Sequence, residues 1–434
     1  MHAEVDIKMK HLIAYIFSLL LFNIAVANSF MNYTNNIHSI KCLSNGYLLG
    51  KAIVKLNSND KINISFDEVS DDARTLQYNI VHCNADWTKS DIIEYEYLSG
   101  GFDRYVNDVQ FSLNTHINYT HYSLIFPDES TVLKISGNYK LEFFDISDPD
   151  NILFYVKFYV TENKVDIVGK VIPPKRTEYR RSKQELEFEI HSLIDIQNAY
   201  SNMKVFVQQN ERQDDIRQVQ PSFTISNVFT YKDDDKLIFD AGDEYRNFDT
   251  RSIENNLHNV EKIYLQNDEY HINLYEQESN VSRAYTSDDD INGEYVCEVN
   301  KKYKPELEGE YVYMNFFLKT NYVGNKANVY LIGELTDWQF DENNRMIYDF
   351  ENNRYALTLL LKQGFYDFAF AYKEHFSNNS NSENISTDEE TNSSKVDISY
   401  YEGSHYQTKN VYNIFVYYRS NSDNYDRLLK IFSI

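Results

Sequence analysis

Apolar and polar residues alternate along most of this chain, in short runs separated by turn-forming clusters. Leu76, Tyr78, Ile80 and His82 fall on one side of an extended segment, as do Tyr139, Leu141 and Phe143. The same two-residue period recurs in Leu186, Phe188 and Ile190, and in Met203, Val205 and Val207. It returns in Tyr311, Tyr313, Asn315 and Phe317, in Tyr355, Leu357, Leu359 and Leu361, and in Tyr366, Phe368, Phe370 and Tyr372. Successive side chains of a strand point to opposite faces, so this alternation predicts half-buried strands. Leu56-Asn57-Ser58-Asn59-Asp60, Ser136-Gly137-Asn138 and Gln363-Gly364 supply turns between them. No segment keeps apolar residues at the helical period long enough for a major helix, so an all-β chain is predicted.

Short strands at regular spacing are the pattern of a β-sandwich. Tyr139 follows a tight turn and is followed two residues later by Leu141, the signature of a tyrosine corner. The predicted architecture is therefore a tandem of immunoglobulin-like or early-set β-sandwich domains. Lys8 and Lys10 precede an apolar run from Leu12 to Val26 and the small residues Ala25-Val26-Ala27, which reads as an export signal over residues 1–27. Three domains are expected after it, at 28–162, 163–305 and 306–434. Residues 376–395 are almost all Ser, Asn, Thr, Asp and Glu, a composition that predicts a disordered insertion in the third domain. The segment Phe239 to Phe248 reads as a polar loop.

Charge narrows the partners. A formal net charge of -24 repels phosphates and anionic lipid headgroups, which argues against nucleic acid and against direct membrane insertion. The densest basic run, Lys175, Arg176, Arg180, Arg181 and Lys183, reads as a solvated face. The 37 tyrosines and 27 phenylalanines suit pleated, half-buried surfaces and reinforce the β reading. Three cysteines, Cys42, Cys83 and Cys297, are widely spaced and odd in number, so the fold is not expected to depend on disulfides.

Motifs for chemistry are sparse. Asp288, Asp290, Asn292 and Gly293 match the first half of a calcium loop, but the twelfth position is Val299 in place of a bidentate Glu. We read them as a hairpin turn and expect no resident metal. Cys83 with His82, His116 or His121 offers the residue types of a thiol nucleophile and base, yet Cys83 and His82 point to opposite faces of one strand. No G-x-S-x-G, phosphate-binding glycine loop or H-E-x-x-H occurs, and an enzyme is not expected. No cofactor is expected either.

Two resemblances add to this reading. Val329 to Trp338, followed by Met346, Tyr355 and Gly364-Phe365-Tyr366, resembles the early-set modules beside starch- and glycogen-active enzymes, some of which stack sugars on Trp. His82-Cys83-Asn84-Ala85-Asp86-Trp87, Gly101-Phe102, Tyr119-Thr120-His121-Tyr122 and Ser136-Gly137-Asn138-Tyr139 together resemble the plug protein of the type IX secretion system of Bacteroidota. Gln208 to Arg212 with Pro221, Phe239 to Phe248, Asp290 to Tyr295 and Leu361 to Tyr366 extend that likeness along the chain. The resemblance implies a non-enzymatic periplasmic protein that closes the periplasmic side of a large outer-membrane translocon β-barrel. On that implication Asn84, Asp86, Trp87, Phe102, Arg104, Tyr119 and His121 are candidate contacts to the barrel. A periplasmic carbohydrate-binding protein is the alternative.

Overall fold

The computed structural model describes residues 36–70, 72–101, 104–300, 304–375 and 396–434. The export-signal and insertion expectations, and Phe102, lie outside these residues. Within them the chain is mostly β-strand, arranged in several small sheets. Among the described residues the α-helices are single turns of four residues, at Glu94–Tyr97, Ala199–Asn202, Pro305–Glu308 and Ser399–Glu402.

Three units each enclose a core between sheets. In the first, one sheet runs in the order Ile37–Ser44, Ile62–Glu68, Thr120–Phe126, Asp108–Phe111. The other runs Ile53–Lys55, Ile152–Thr161, Gly137–Asp145, Leu76–Cys83, with Ile53–Lys55 parallel to its neighbour. Register follows the alternation: Tyr78 lies opposite Phe143 and Ile80 opposite Leu141, so both pairs enter the core together. Phe66, Tyr122, Phe126, Phe143, Phe154 and Phe158 are fully buried there, and Phe143 stacks on Phe154 at 4.7 Å. Tyr139 Oη donates to the Ile135 carbonyl at 2.9 Å, the back-bond expected of a tyrosine corner.

The other two units depart from the expected division at residue 305. One sheet of the second unit holds Val165–Ile172, Lys183–Ser192, Val228–Tyr231 and Phe223–Ile225, with Ile238–Asp240 also on Lys183–Ser192. The facing sheet runs Ile216–Val219, Met203–Gln209, Tyr412–Tyr418, Arg427–Ser433. The last two strands thus belong with residues two hundred positions earlier. Tyr412–Tyr418 is buried along its whole length and needs a strand on each side, which Met203–Gln209 and Arg427–Ser433 provide. The third unit is inserted into the second. Its longest strand, Gly364–Glu374, pairs with Arg246–Asp249, Tyr295–Cys297, Ala327–Ile332 and Val396–Asp397. Opposite lies the sheet Val260–Gln266, Glu269–Leu274, Tyr311–Lys319, Arg354–Lys362, Ile347–Asp349.

The segment Phe239 to Phe248 is accordingly no surface loop. It carries the chain from the second unit into the third, with Phe239, Ala241 and Phe248 buried and Arg246 bridging to the Glu402 carboxylate at 2.8 Å. The basic run is neutralised locally: Lys175 pairs with Glu187 at 3.0 Å, Arg176 with Asp235 at 2.9 Å and Lys183 with Asp240 at 2.7 Å.

One end of the first unit is closed by the short ladder of Leu98–Ser99 with Val132–Leu133. Gly100 follows it at φ +75°, and a Cβ there would sit 1.8 Å from the Ser130 carbonyl oxygen. A left-handed conformation alone costs a side chain about 1–2 kcal/mol, and the clash adds to it. Gly100→Ala is expected to raise amide hydrogen exchange in Leu98–Ser99 and Val132–Leu133 while leaving the second unit's exchange unchanged.

Candidate functional site

His82–Trp87, Tyr119–Tyr122 and Ser136–Tyr139 of the first unit lie along its two joints with the rest of the molecule, whereas Gly101 lies against Thr131 within the first unit. His82 is buried, with Nε2 donating to the Ser136 carbonyl at 3.1 Å and Nδ1 2.8 Å from Ser90 Oγ. Burial pushes its pKa down to about 4, so the imidazole is neutral. Burial pushes the Cys83 thiol up to about 11, away from the thiolate that nucleophilic catalysis needs. His116 and His121 are committed elsewhere, to Asp268 at 3.2 Å and to Asp67 at 2.6 Å. Cys42, Cys83 and Cys297 are free thiols.

After His82 and Cys83 the chain turns through Asn84 to Thr88. Trp87 adopts φ +66°, and Asp86 Oδ1 accepts from Thr88 N and Oγ1 at 3.0 and 2.6 Å. This turn meets the second unit. Ala85 N donates to Asp426 Oδ2 at 3.0 Å, and the same oxygen accepts from Lys204 Nζ at 3.0 Å. Arg419 Nη2 donates to Asn84 Oδ1 at 2.6 Å. Tyr417 Oη donates to Asn138 Oδ1 at 2.8 Å, and Asn138 Nδ2 returns to the Asn84 carbonyl at 3.0 Å. Arg427 grips Glu162 through two hydrogen bonds of 2.9 and 2.6 Å. Tyr159, Phe206, Phe415, Tyr417 and Leu428 pack around Ala85 beneath these bonds.

The joint with the third unit is built on Asp67, a fully buried carboxylate. His121 Nδ1 reaches its Oδ1 at 2.6 Å, while Lys362 Nζ and Tyr311 Oη each donate to its Oδ2 at 2.7 Å. Burial alone would raise the Asp67 pKa, but the Lys362 ammonium and His121 hold it below the usual carboxylate range. Lys362 also donates to the Glu306 carbonyl at 2.6 Å and lies 4.2 Å over the Tyr119 ring. Tyr119 is 1% exposed, its hydroxyl within reach of the Glu306 and Gly309 carbonyls. Nearby, Glu310 accepts the backbone N–H groups of His116 and Ile117, and Lys41 pairs with Glu334 at 2.5 Å.

Of the seven candidate contacts, then, Tyr119 and His121 face the third unit and Asn84 holds the second. Arg104 pairs with Glu94 at 2.5 Å at the glycine-braced end of the first unit. Asp86 is exposed, and Trp87 borders a cleft where the three units meet. Asp67, Lys362 and Asp426 went unnoticed in the sequence. Nothing in the residues around each marks it as buried. The calcium-like residues do not converge on a point. Asp288 is exposed, whereas both Asp290 oxygens accept backbone N–H groups, from Tyr245 and Asn292.

Residues 37–162, the whole of the first unit, match the family model described as type 9 secretion system plug protein 1st domain. The chain belongs to the type IX secretion system plug protein family. A crystal structure of a hypothetical protein from Parabacteroides merdae ATCC 43184 is similar over 93% of this chain and 98% of its own, with 30% identity and a TM-score of 0.87. No curated protein matches the chain. Among the described residues no helix is long and apolar enough to cross a membrane. The family is a component of a secretion system, and most of the first-unit motifs that carry the likeness fasten that unit to the other two.

Two outcomes follow from these joints. Lys362→Met strands Asp67 in the interior and is expected to cost about 3–5 kcal/mol in denaturant unfolding, most of which the double variant with Asp67→Asn recovers. Glu294 accepts from Gly50 N at 2.7 Å across the same joint, and burial together with Glu334 pushes its carboxyl from 4.5 up to about 7. A carboxyl that titrates higher in the folded state stabilises it fully below pH 4.5, and that contribution is lost as pH rises to about 7. Glu294→Gln keeps an acceptor for Gly50, so its stability relative to the parent chain should rise between those values and level off above, measured as urea midpoints at pH 5, 6, 7 and 8.

Proposed function

We propose that this protein is a non-enzymatic, periplasmic plug of the type IX secretion system, docking on the periplasmic side of the outer-membrane translocon barrel and closing it during protein secretion. The observation that carries this reading is the match of the entire first unit to the plug family's first domain. We assign the three units to the immunoglobulin-like and early-set class of sandwich. Supporting this, the third unit has a second tyrosine corner, in which Tyr366 Oη donates to the Lys362 carbonyl at 2.5 Å.

A plug must cover a wide aqueous opening without deforming, and buried ion pairs at both joints give it that stiffness. Flexible tandem domains joined by linkers would leave gaps. The net charge of -24 favours a basic rim on the barrel, setting the rate and register of encounter more than its strength. Asn84, Tyr119 and His121 are engaged inside the protein, so we place the barrel contacts on exposed loop residues such as Asp86. The carbohydrate alternative requires an aromatic face open to a sugar. Trp338 is 5% exposed and Trp87 carries the Lys157 ammonium 4.4 Å over its ring, which counts against it.

The test is purification of tagged protein from its own cells in mild detergent. Recovery of one very large outer-membrane protein near one-to-one, with an association rate that falls as salt is raised, is expected. Absence of that partner, with retention of the protein on an α-glucan gel, would overturn the plug reading.

A further inference from the structure

The three units do not close completely where they meet. A cleft of about 910 Å³ lies between them, at the upper end of the size of ligand-binding clefts. It is walled by the Asp86-Trp87 turn of the first unit, by residues 209–217 of the second, and by Tyr245, Trp338, Phe340 and residues 396–399 of the third. We propose that this cleft binds an extended, weakly charged stretch of polypeptide with large apolar side chains, donated by another protein.

Charge selects against most other ligands. Arg212 is paired with Asp214 at 2.6 Å, Arg217 with Asp215 at 2.6 Å and Lys183 with Asp240 at 2.7 Å. Asp86 and Asp397 accept hydrogen bonds within their own turns, and Lys373 lies 5.0 Å over the Phe340 ring. A phosphate would have to break the arginine and lysine pairs to gain a counter-charge. Apolar side chains do meet there: Phe206, Ile216, Phe340, Val396 and Ile398 come from two units, converge on one space and stay partly in water, Ile216 being 40% exposed. Tryptophan, tyrosine and arginine, which dominate binding energy at protein interfaces, complete the walls.

One feature of the wall specifies a main chain. Val396–Asp397, on the cleft wall, is paired among the described residues with Gly364–Glu374 alone, the arrangement that strand addition uses. An oligosaccharide cannot continue a strand ladder, because it carries no backbone N–H and C=O groups at the strand spacing. The inference stands independently of the plug reading: a secretion plug or any other three-unit protein with this cleft would take such a segment.

The protein carries its own probe. Its two tryptophans, Trp87 and Trp338, both line the cleft, so red-edge excitation of indole reports on this site alone. Full-length protein is used to select random displayed heptapeptides, and the enriched sequences are synthesised and titrated. Enriched peptides should be rich in aromatic and aliphatic residues and should shift the tryptophan emission saturably. Ile216→Glu should weaken them at least tenfold, whereas Phe350→Glu, at a 70%-exposed position away from the cleft, should not. The emission titration of the unaltered protein decides the matter even if Ile216→Glu fails to fold. No enrichment over a blank surface, or enriched peptides that leave the emission unchanged, would overturn the proposal. So would an emission shift produced by maltoheptaose and not by the peptides.

Discussion

A carboxylate taken out of water must find its counter-charge inside the protein, and Asp67 finds it on a different unit. Its partners on the first unit satisfy one oxygen, while Lys362 and Tyr311 of the third satisfy the other. Moving the units apart by even one bond length would leave a desolvated ion, a far steeper cost than loss of apolar contact alone. The arrangement of the first unit on the third is therefore fixed in distance and in angle. At the other joint Asp426 keeps its counter-charges, Lys204 and Arg419, on its own unit and reaches across only to Ala85 N, while Arg427 and Glu162 form the ion pair that spans the two units. The apolar packing around Tyr159 and Phe415 supplies area, and the buried ions supply register.

The residues that make the first unit recognisable are largely the residues of these joints. Asn84, Ala85, Ser136 and Asn138 face the second unit, and Tyr119 and His121 face the third. Their type follows from what a joint requires. Short amides and hydroxyls bridge backbones at close range, and a tyrosine or histidine combines area with one directed hydrogen bond. A motif of this kind records how a protein is assembled.

Much of this was legible in the alternation of side chains. The strands around Tyr78, Tyr139, Met203, Tyr311, Tyr355 and Tyr366 lie where the two-residue period puts them. What alternation does not encode is which strand pairs with which, because ladder hydrogen bonds are made by backbone common to every residue. Tyr412–Tyr418 reads as one more strand, and its partner two hundred residues earlier leaves no local trace. Burial of Asp67 was invisible for a related reason. In Asn63, Ser65 and Asp67 it continues the polar face of its strand, a face that covers solvent at one end and another unit at the other. Phe239 to Phe248 misled in the same way, its charges being those of a crossover with Glu402 waiting for Arg246.

The insertion of the third unit into the second sets an order of events. Chains emerge from the ribosome amino end first, and domains tend to fold as they appear. Here a central strand of the second unit's sheet, Tyr412–Tyr418, is made some two hundred residues after its partner Met203–Gln209. Until it arrives, Met203–Gln209 has one neighbour in place of two, and the apolar faces of both second-unit sheets have nothing to close over them. The third unit can form within that waiting interval, but the second cannot finish before Tyr412–Tyr418 and Arg427–Ser433 have been made. Pairings of such long sequence separation are slow to form and leave open strand edges while they wait. A chain built this way depends on being held apart from its neighbours during its own synthesis, and loss of Tyr412–Ser433 would disable a unit that begins at Val165.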